Sequence, residues 1–163
     1  MYLGTSAERF PDRPALIFAE RDQIVTYGEL EARSNQIAQA FRAWGLGPGD
    51  GVAVVLGNEP GFLDVFWGAI RAGLYFTPVN WHLQRDEVQY VVENCDAKAF
   101  VAHARFAETA AAVAAAVPRL AVSASVGGAS PGLRSLEDAL ADVPEDRPLE
   151  DQLEGSVMFY FSG

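Results

Sequence analysis

Apolar runs and helical periodicities alternate along the chain, which predicts an α/β layered fold with a mostly parallel sheet flanked by helices. Residues 15–19 (ALIFA) and 24–26 (IVT) predict two short strands about a turn at Glu20–Gln23. Thr26-Tyr27-Gly28-Glu29 has the form of a capping box, so a helix starts at Thr26. Leu30, Ile37, Ala38, Phe41 and Trp44 fall on one face of it, and Gly45 stops it. Residues 52–56 (VAVVL) are apolar throughout, as a buried parallel strand requires. Asn58 is the expected cap of the next helix, with Pro60 in its first turn. Phe62, Val65, Phe66, Ala69 and Ile70 give that helix an apolar face, ended by Gly73. Residues 74–79 (LYFTPV) predict a strand whose Pro78 belongs at an edge or bend. Val88, Val91, Val92 and Cys95 mark a third helix; residues 99–102 predict a strand and 105–116 an alanine-rich helix. Residues 120–122 are a candidate short strand, 123–132 read as a surface loop, and 134–141 as a short helix. Residues 144–155 are acidic and read as solvated, and 156–161 (SVMFYF) are apolar, as a central strand would be.

Composition narrows the picture. The 163 residues amount to one domain, able to bury roughly 70% of the surface of the unfolded chain. Half the residues are hydrophobic, so disorder of the whole chain is excluded. A net charge of −10 argues against nucleic acid as a partner, because phosphate binding needs a cationic surface. Cys95 is the single cysteine, so neither an internal disulfide nor a cysteine-rich zinc site is available. His82 and His103 show no metal-ligand spacing, and no metal site is expected. Charged residues within the first fifteen positions argue against a signal peptide, and no apolar run is long enough to span a membrane. A reduced, cytoplasmic setting fits. Lys98 is the only lysine and is expected to precede a strand, exposed.

Candidate chemistry gathers where strands end. In α/β folds ligands bind beyond the carboxyl ends of the strands. The strand at 156–161 is followed by Ser162-Gly163, where a functional loop is expected to begin. His82 and Arg85 follow strand 74–79 and carry the chemistry to meet phosphate. Gly45-Leu46-Gly47-Pro48-Gly49 precedes its strand, so it reads as a helix stop and turn rather than a dinucleotide loop. His103 reads as a cap or surface residue, and Cys95 as a core thiol. The three tryptophans read as packing.

Four segments in this order, 10–18 (FPDRPALIF), 25–30 (VTYGEL), 70–80 (IRAGLYFTPVN) and 159–163 (FYFSG), resemble the N-terminal portion of adenylate-forming enzymes, the superfamily of acyl-CoA synthetases and adenylation domains. The resemblance spans residues 1–163 and about the first third of a family member. Pro78-Val79-Asn80-Trp81-His82-Leu83, with Glu87 and Tyr90, resembles fatty or other carboxylic acid–CoA ligases. The resemblance implies that ATP and a carboxylic acid give an acyl-adenylate and that CoA then gives the thioester. It implies ATP, Mg2+ and CoA as cofactors, with Ser162 and Gly163 opening the ATP phosphate loop. Phe161 stands where the family often has Thr, which removes one donor from that loop. His82 and Arg85 would meet the CoA phosphates. The catalytic residues and the C-terminal lid would lie downstream, so residues 1–163 alone are expected to be inactive and to need the remainder of the polypeptide. Homodimer formation is left open. The alternatives are an adenylation domain loading an amino or aryl acid onto a carrier protein, and a non-catalytic binding module.

Overall fold

The computed structural model of the protein describes residues 2–145 and 147–160. Phe161, Ser162 and Gly163 therefore lie outside the described residues.

A helix missing from the sequence pattern comes first: α1 (Tyr2–Arg9) buries Leu3 and Ala7, one turn apart, against α2. The antiparallel hairpin of β1 (Pro14–Phe18) and β2 (Gln23–Thr26) follows, as the pattern predicts. It leads into α2 (Tyr27–Ala43) through the expected capping box. The Glu29 N–H donates to Thr26 Oγ1 at 3.2 Å, and the Thr26 N–H donates to Glu29 Oε2 at 2.7 Å. The Thr26 N–H and the Thr26 hydroxyl, both donating to Glu29 Oε2, hold the Glu29 carboxyl below its usual range.

The remaining strands form one parallel sheet, ordered β7 (Arg134–Ser135), β6 (Val122–Val126), β5 (Ala97–His103), β3 (Gly51–Val55), β4 (Tyr75–Pro78), β8 (Ser156–Val157). At its centre lies β3 (Gly51–Val55), fully buried, between β4 (Tyr75–Pro78) and β5 (Ala97–His103). Its side chains alternate between two apolar layers. Val52 and Val54 join α2 and α3 (Pro60–Arg71), whereas Ala53 and Val55 join α4 (Arg85–Asn94) and α5 (Ala107–Ala116). Right-handed crossovers account for this arrangement: β3-α3-β4 runs one way over one face, and β4-α4-β5-α5 returns over the other.

Several local expectations are corrected. Asn58 is exposed, and the N-cap of α3 is Glu59, whose side chain turns elsewhere. Lys98 lies within β5 rather than before it, and its ammonium reaches Asp50 at 2.7 Å. The loop expected at 123–132 is a strand for its first part: β6 (Val122–Val126) pairs with β5 and buries Val122, Ala124, Ser125 and Val126. Its small side chains hid a strand that parallel neighbours stabilise. Strand β7 (Arg134–Ser135) then leads into α6 (Leu136–Leu140), capped by Ser135.

The central strand expected at 156–161 is not what the described part of that segment forms. Among the described residues only Ser156–Val157 are strand, β8, paired with the outer side of β4. Pro78 explains why the ladder is short. The Val79 N–H faces Val54 O on the β3 side at 2.9 Å, so the Pro78 nitrogen faces β8 and has no hydrogen to offer. Thus β4 is interior, and Pro78 marks where its outer pairing stops. The acidic stretch is not wholly solvated either, because Leu149 packs on the core and Leu153 bridges to Ala72.

Candidate functional site

At the carboxyl end of the sheet the chain leaves β3 and β5, adjacent strands, toward opposite faces. That divergence opens the crevice in which α/β folds place ligands. Glu59 sits there at 5% exposure. Its Oε1 accepts from the Gly57 N–H at 2.9 Å and lies 3.8 Å from Arg105 Nη2; its Oε2 lies 3.1 Å from His103 Nε2. The Arg105 N–H donates to His103 Nδ1 at 3.0 Å, so His103 caps the turn after β5, as its position predicts. An acceptor at Nδ1 leaves the imidazole proton on Nε2, aimed at the Glu59 carboxylate.

This carboxylate joins two loops. At Gly57 a Cβ would lie 1.9 Å from Arg105 Nη2, so a larger residue would displace the guanidinium. The guanidinium therefore rests on bare backbone, with its carbon 4.7 Å from the Phe106 ring centre and 5.4 Å from that of Trp81. Trp81 stacks on His82 at 3.5 Å and on Phe106 at 6.0 Å. Trp81 stays 42% exposed, so it is a surface platform rather than core packing. Trp44 and Trp67 do pack, edge-on against Phe41 and Phe66.

The sequence-predicted site residues fall unevenly on this edge. His82 is exposed on the β4–α4 connection, and its N–H donates to Asn80 Oδ1 at 3.0 Å. Arg85 opens α4, also exposed, and its guanidinium lies 2.9 Å from Asp86 Oδ1. Surface pairs of this kind contribute little, so the cation stays available to an anion. Ser162 and Gly163 lie outside the described residues. Glu59, Arg105 and Trp81 were missed; the one signal was an acidic residue four positions beyond the end of a buried strand.

Two clefts border the edge. One of about 380 Å³ is lined by Phe18, Leu56, Phe62, Leu63, Trp81 and Glu59. The other, about 530 Å³, lies between the end of β4 and α4, lined by Val79, Leu83, Tyr90 and Tyr160 among others. The Tyr160 hydroxyl donates to Asn94 Oδ1 at 2.8 Å. Cys95 is buried, its Sγ 3.6 Å from Val92 O, and burial pushes its thiol above the usual range, so it is no nucleophile. Among the described residues no group of three or more His, Cys, Asp or Glu is placed to hold a metal ion. Among them, too, no helix is long and apolar enough to cross a membrane.

A family model described as AMP-binding enzyme matches residues 3–163. Over 117 residues, 72% of this chain and 22% of the relative, the sequence is 30% identical to a fatty acid–[acyl-carrier-protein] ligase of Streptomyces coeruleorubidus. A 3-hydroxybenzoate–CoA ligase of Aromatoleum sp. (strain CIB) is 34% identical over 101 residues, 62% of this chain and 19% of that one. Among solved structures, an anthranilate CoA ligase in complex with anthranoyl-AMP superposes with a TM-score of 0.88 at 20% identity. That superposition covers 99% of this chain and 31% of the other. The chain thus spans about a fifth of these curated relatives and about a third of that solved structure.

Proposed function

The chain belongs to the family of AMP-binding enzymes, and from that premise we propose that it forms the N-terminal part of the large domain of an ATP-dependent carboxylic acid–CoA ligase. The observation that carries the reading is the family match over residues 3–163, on a parallel sheet whose carboxyl edge opens a crevice. In the reaction a substrate carboxylate oxygen attacks the α-phosphorus of ATP and pyrophosphate leaves, giving an acyl-adenylate. The CoA thiolate then attacks the acyl carbon and AMP leaves, giving the thioester. A fatty acid is the acyl group this reading favours.

This chain contributes scaffold and anion contacts. Ser162 and Gly163 open the phosphate loop, where a hydroxyl and a backbone N–H donate to phosphate oxygens. His82 and Arg85, exposed on the β4–α4 connection, meet the CoA phosphates. Glu59 holds Arg105 and, through it, Trp81 at the edge of the crevice. Mg2+ would accompany ATP; among the described residues no group of three or more His, Cys, Asp or Glu is placed to hold it. Residues 1–163 alone would not adenylate. The cytoplasm, where ATP and CoA are abundant, is the setting.

In the polypeptide that continues past Gly163, replacing both His82 and Arg85 by Ala raises the KM for CoA about tenfold and leaves that for ATP unchanged. An unchanged KM for CoA discards the phosphate contact. The likeness to a fatty acid–[acyl-carrier-protein] ligase supports a second reading, in which a carrier-protein thiol replaces CoA. Transfer from the adenylate to a phosphopantetheinylated carrier, but not to free CoA, would select it.

A further inference from the structure

Both ring nitrogens of His103, the last residue of β5, are engaged at the crevice edge, and in different ways. Nδ1 accepts the Arg105 N–H at 3.0 Å, whereas Nε2 faces Glu59 Oε2 at 3.1 Å. The ring has little room to turn. Its side chain is 22% exposed, and a Cβ on Gly127, just past β6, would stand 2.5 Å from Nε2. Each element packed there brings a charged or titratable group. Glu59 comes from α3 and Arg105 from the turn after β5. Glu137 of α6 takes the Gly127 N–H on Oε1 at 2.8 Å, and His82 lies beyond Trp81.

An added proton has one place to go. Nε2 already carries hydrogen, so protonation puts the second hydrogen on Nδ1. Nδ1 then becomes a donor facing the Arg105 N–H, and the cap is lost. The charge balance changes in the same event. With neutral His103 the buried Glu59 carboxylate faces one cation, Arg105, at 3.8 Å. The imidazolium, at 3.1 Å, lies closer and takes that carboxylate over. Arg105 thus loses a backbone tie and a side-chain tie together. Its guanidinium carbon lies 4.7 Å from the centre of the Phe106 ring and 5.4 Å from that of Trp81. Trp81 in turn stacks on His82 at 3.5 Å. Release of Arg105 therefore removes support from the His82 ring.

We propose that His103 is a proton-operated positioning residue for the thiol substrate: uncharged, it keeps Arg105, Trp81 and His82 where His82 meets CoA, and protonated it lets them go. The proposal rests on the CoA-ligase reading above. Its direction is fixed, because CoA binding weakens as pH falls. Protonation of His82 itself acts the other way, since a second cation strengthens a phosphate contact.

The test measures the KM for CoA from about pH 8 to about pH 5, in the polypeptide that continues past Gly163 and in its His103→Asn and Glu59→Gln variants. Asn keeps an uncharged acceptor at the cap position and does not titrate. On acidification the wild-type KM for CoA is expected to rise about fivefold relative to that of His103→Asn, the weight of one lost cap. The KM for ATP stays in step between the two. Glu59→Gln removes the counter-charge of the imidazolium, so the rise, whatever its starting level, moves to lower pH. Amide exchange at Arg105, compared with His103→Asn at each pH, should quicken over the same interval. Equal pH profiles in wild type and a folded His103→Asn variant overturn the proposal. So does a rise that Glu59→Gln leaves in place, which belongs to His82 or to the CoA phosphates. If the wild-type polypeptide makes no acyl-CoA, the ligase reading fails and the role in CoA binding with it. The Arg105 amide still reads the latch without activity, and protection there that does not change with pH overturns it independently.

Discussion

Glu59 and Arg71 are charged side chains folded away from water, and each is matched. Arg71 is 1% exposed, paired to Glu31 at 2.6 Å and hydrogen-bonded to Asn35. Glu59 serves His103, Arg105 and the Gly57 amide. Truncating Glu59 to Ala is expected to cost about 1–3 kcal/mol, less than a fully buried broken pair because His103 and Arg105 can turn to water. Urea unfolding measures it. Asp64 is a contrasting case. It sits in a groove with Glu29 and Glu145 and is pushed up to about 6, chiefly by burial and against the pull of Arg33. A carboxyl raised in the folded state binds more protons there than in the unfolded chain, so its contribution to stability is lost as pH rises from about 4 to 6. Asp64→Asn should therefore raise Tm at pH 7 and change it little at pH 4; equal changes at both would refute the assignment. At this scale the sequence was half legible. His103 reads correctly as a cap because capping is local. Asn58 does not, since what recruits Glu59 instead is the turn after β5, far along the chain.

Elements were more legible where one local signal decides them. The capping box of α2, the apolar face of α3 and the continuous run of β3 each follow from neighbours in sequence. The stop at Gly73 is of the same kind: φ is +74° and a Cβ would meet Pro48 Cβ at 3.1 Å. Gly73→Ala should cost about 1–2 kcal/mol, measured by thermal unfolding, through left-handed backbone strain. Elements fixed by distant partners were not legible. Strand β6 is rich in Ser and Ala and exists because β5 pairs with it; β8 is apolar yet short because Pro78 on β4 denies it a donor. The same reasoning predicts that Pro78→Val gives β4 a further donor toward β8 and slows amide exchange just past Val157. Unchanged exchange there would remove Pro78 as the cause of the short ladder.

The whole molecule was legible through the order of its motifs rather than through any one of them. The hairpin, the strand carrying LYFTPV and the terminal apolar segment share one frame, in which the carboxyl edge of a parallel sheet collects the loops that follow each strand. The acidic balance, net −10, leaves the exposed cations of that edge, such as Arg85 and Arg105, as local features rather than part of a basic field. Anions are therefore expected at one place, not over the surface. The central claim is that this chain is the scaffold on which a longer polypeptide makes acyl-adenylates, and acid-dependent ATP–pyrophosphate exchange tests it most directly. The account predicts no exchange from residues 1–163, and exchange that depends on an added carboxylic acid from the polypeptide that continues past Gly163. Exchange by residues 1–163 alone, or none from the folded longer polypeptide with fatty, aryl and amino acids, would contradict it.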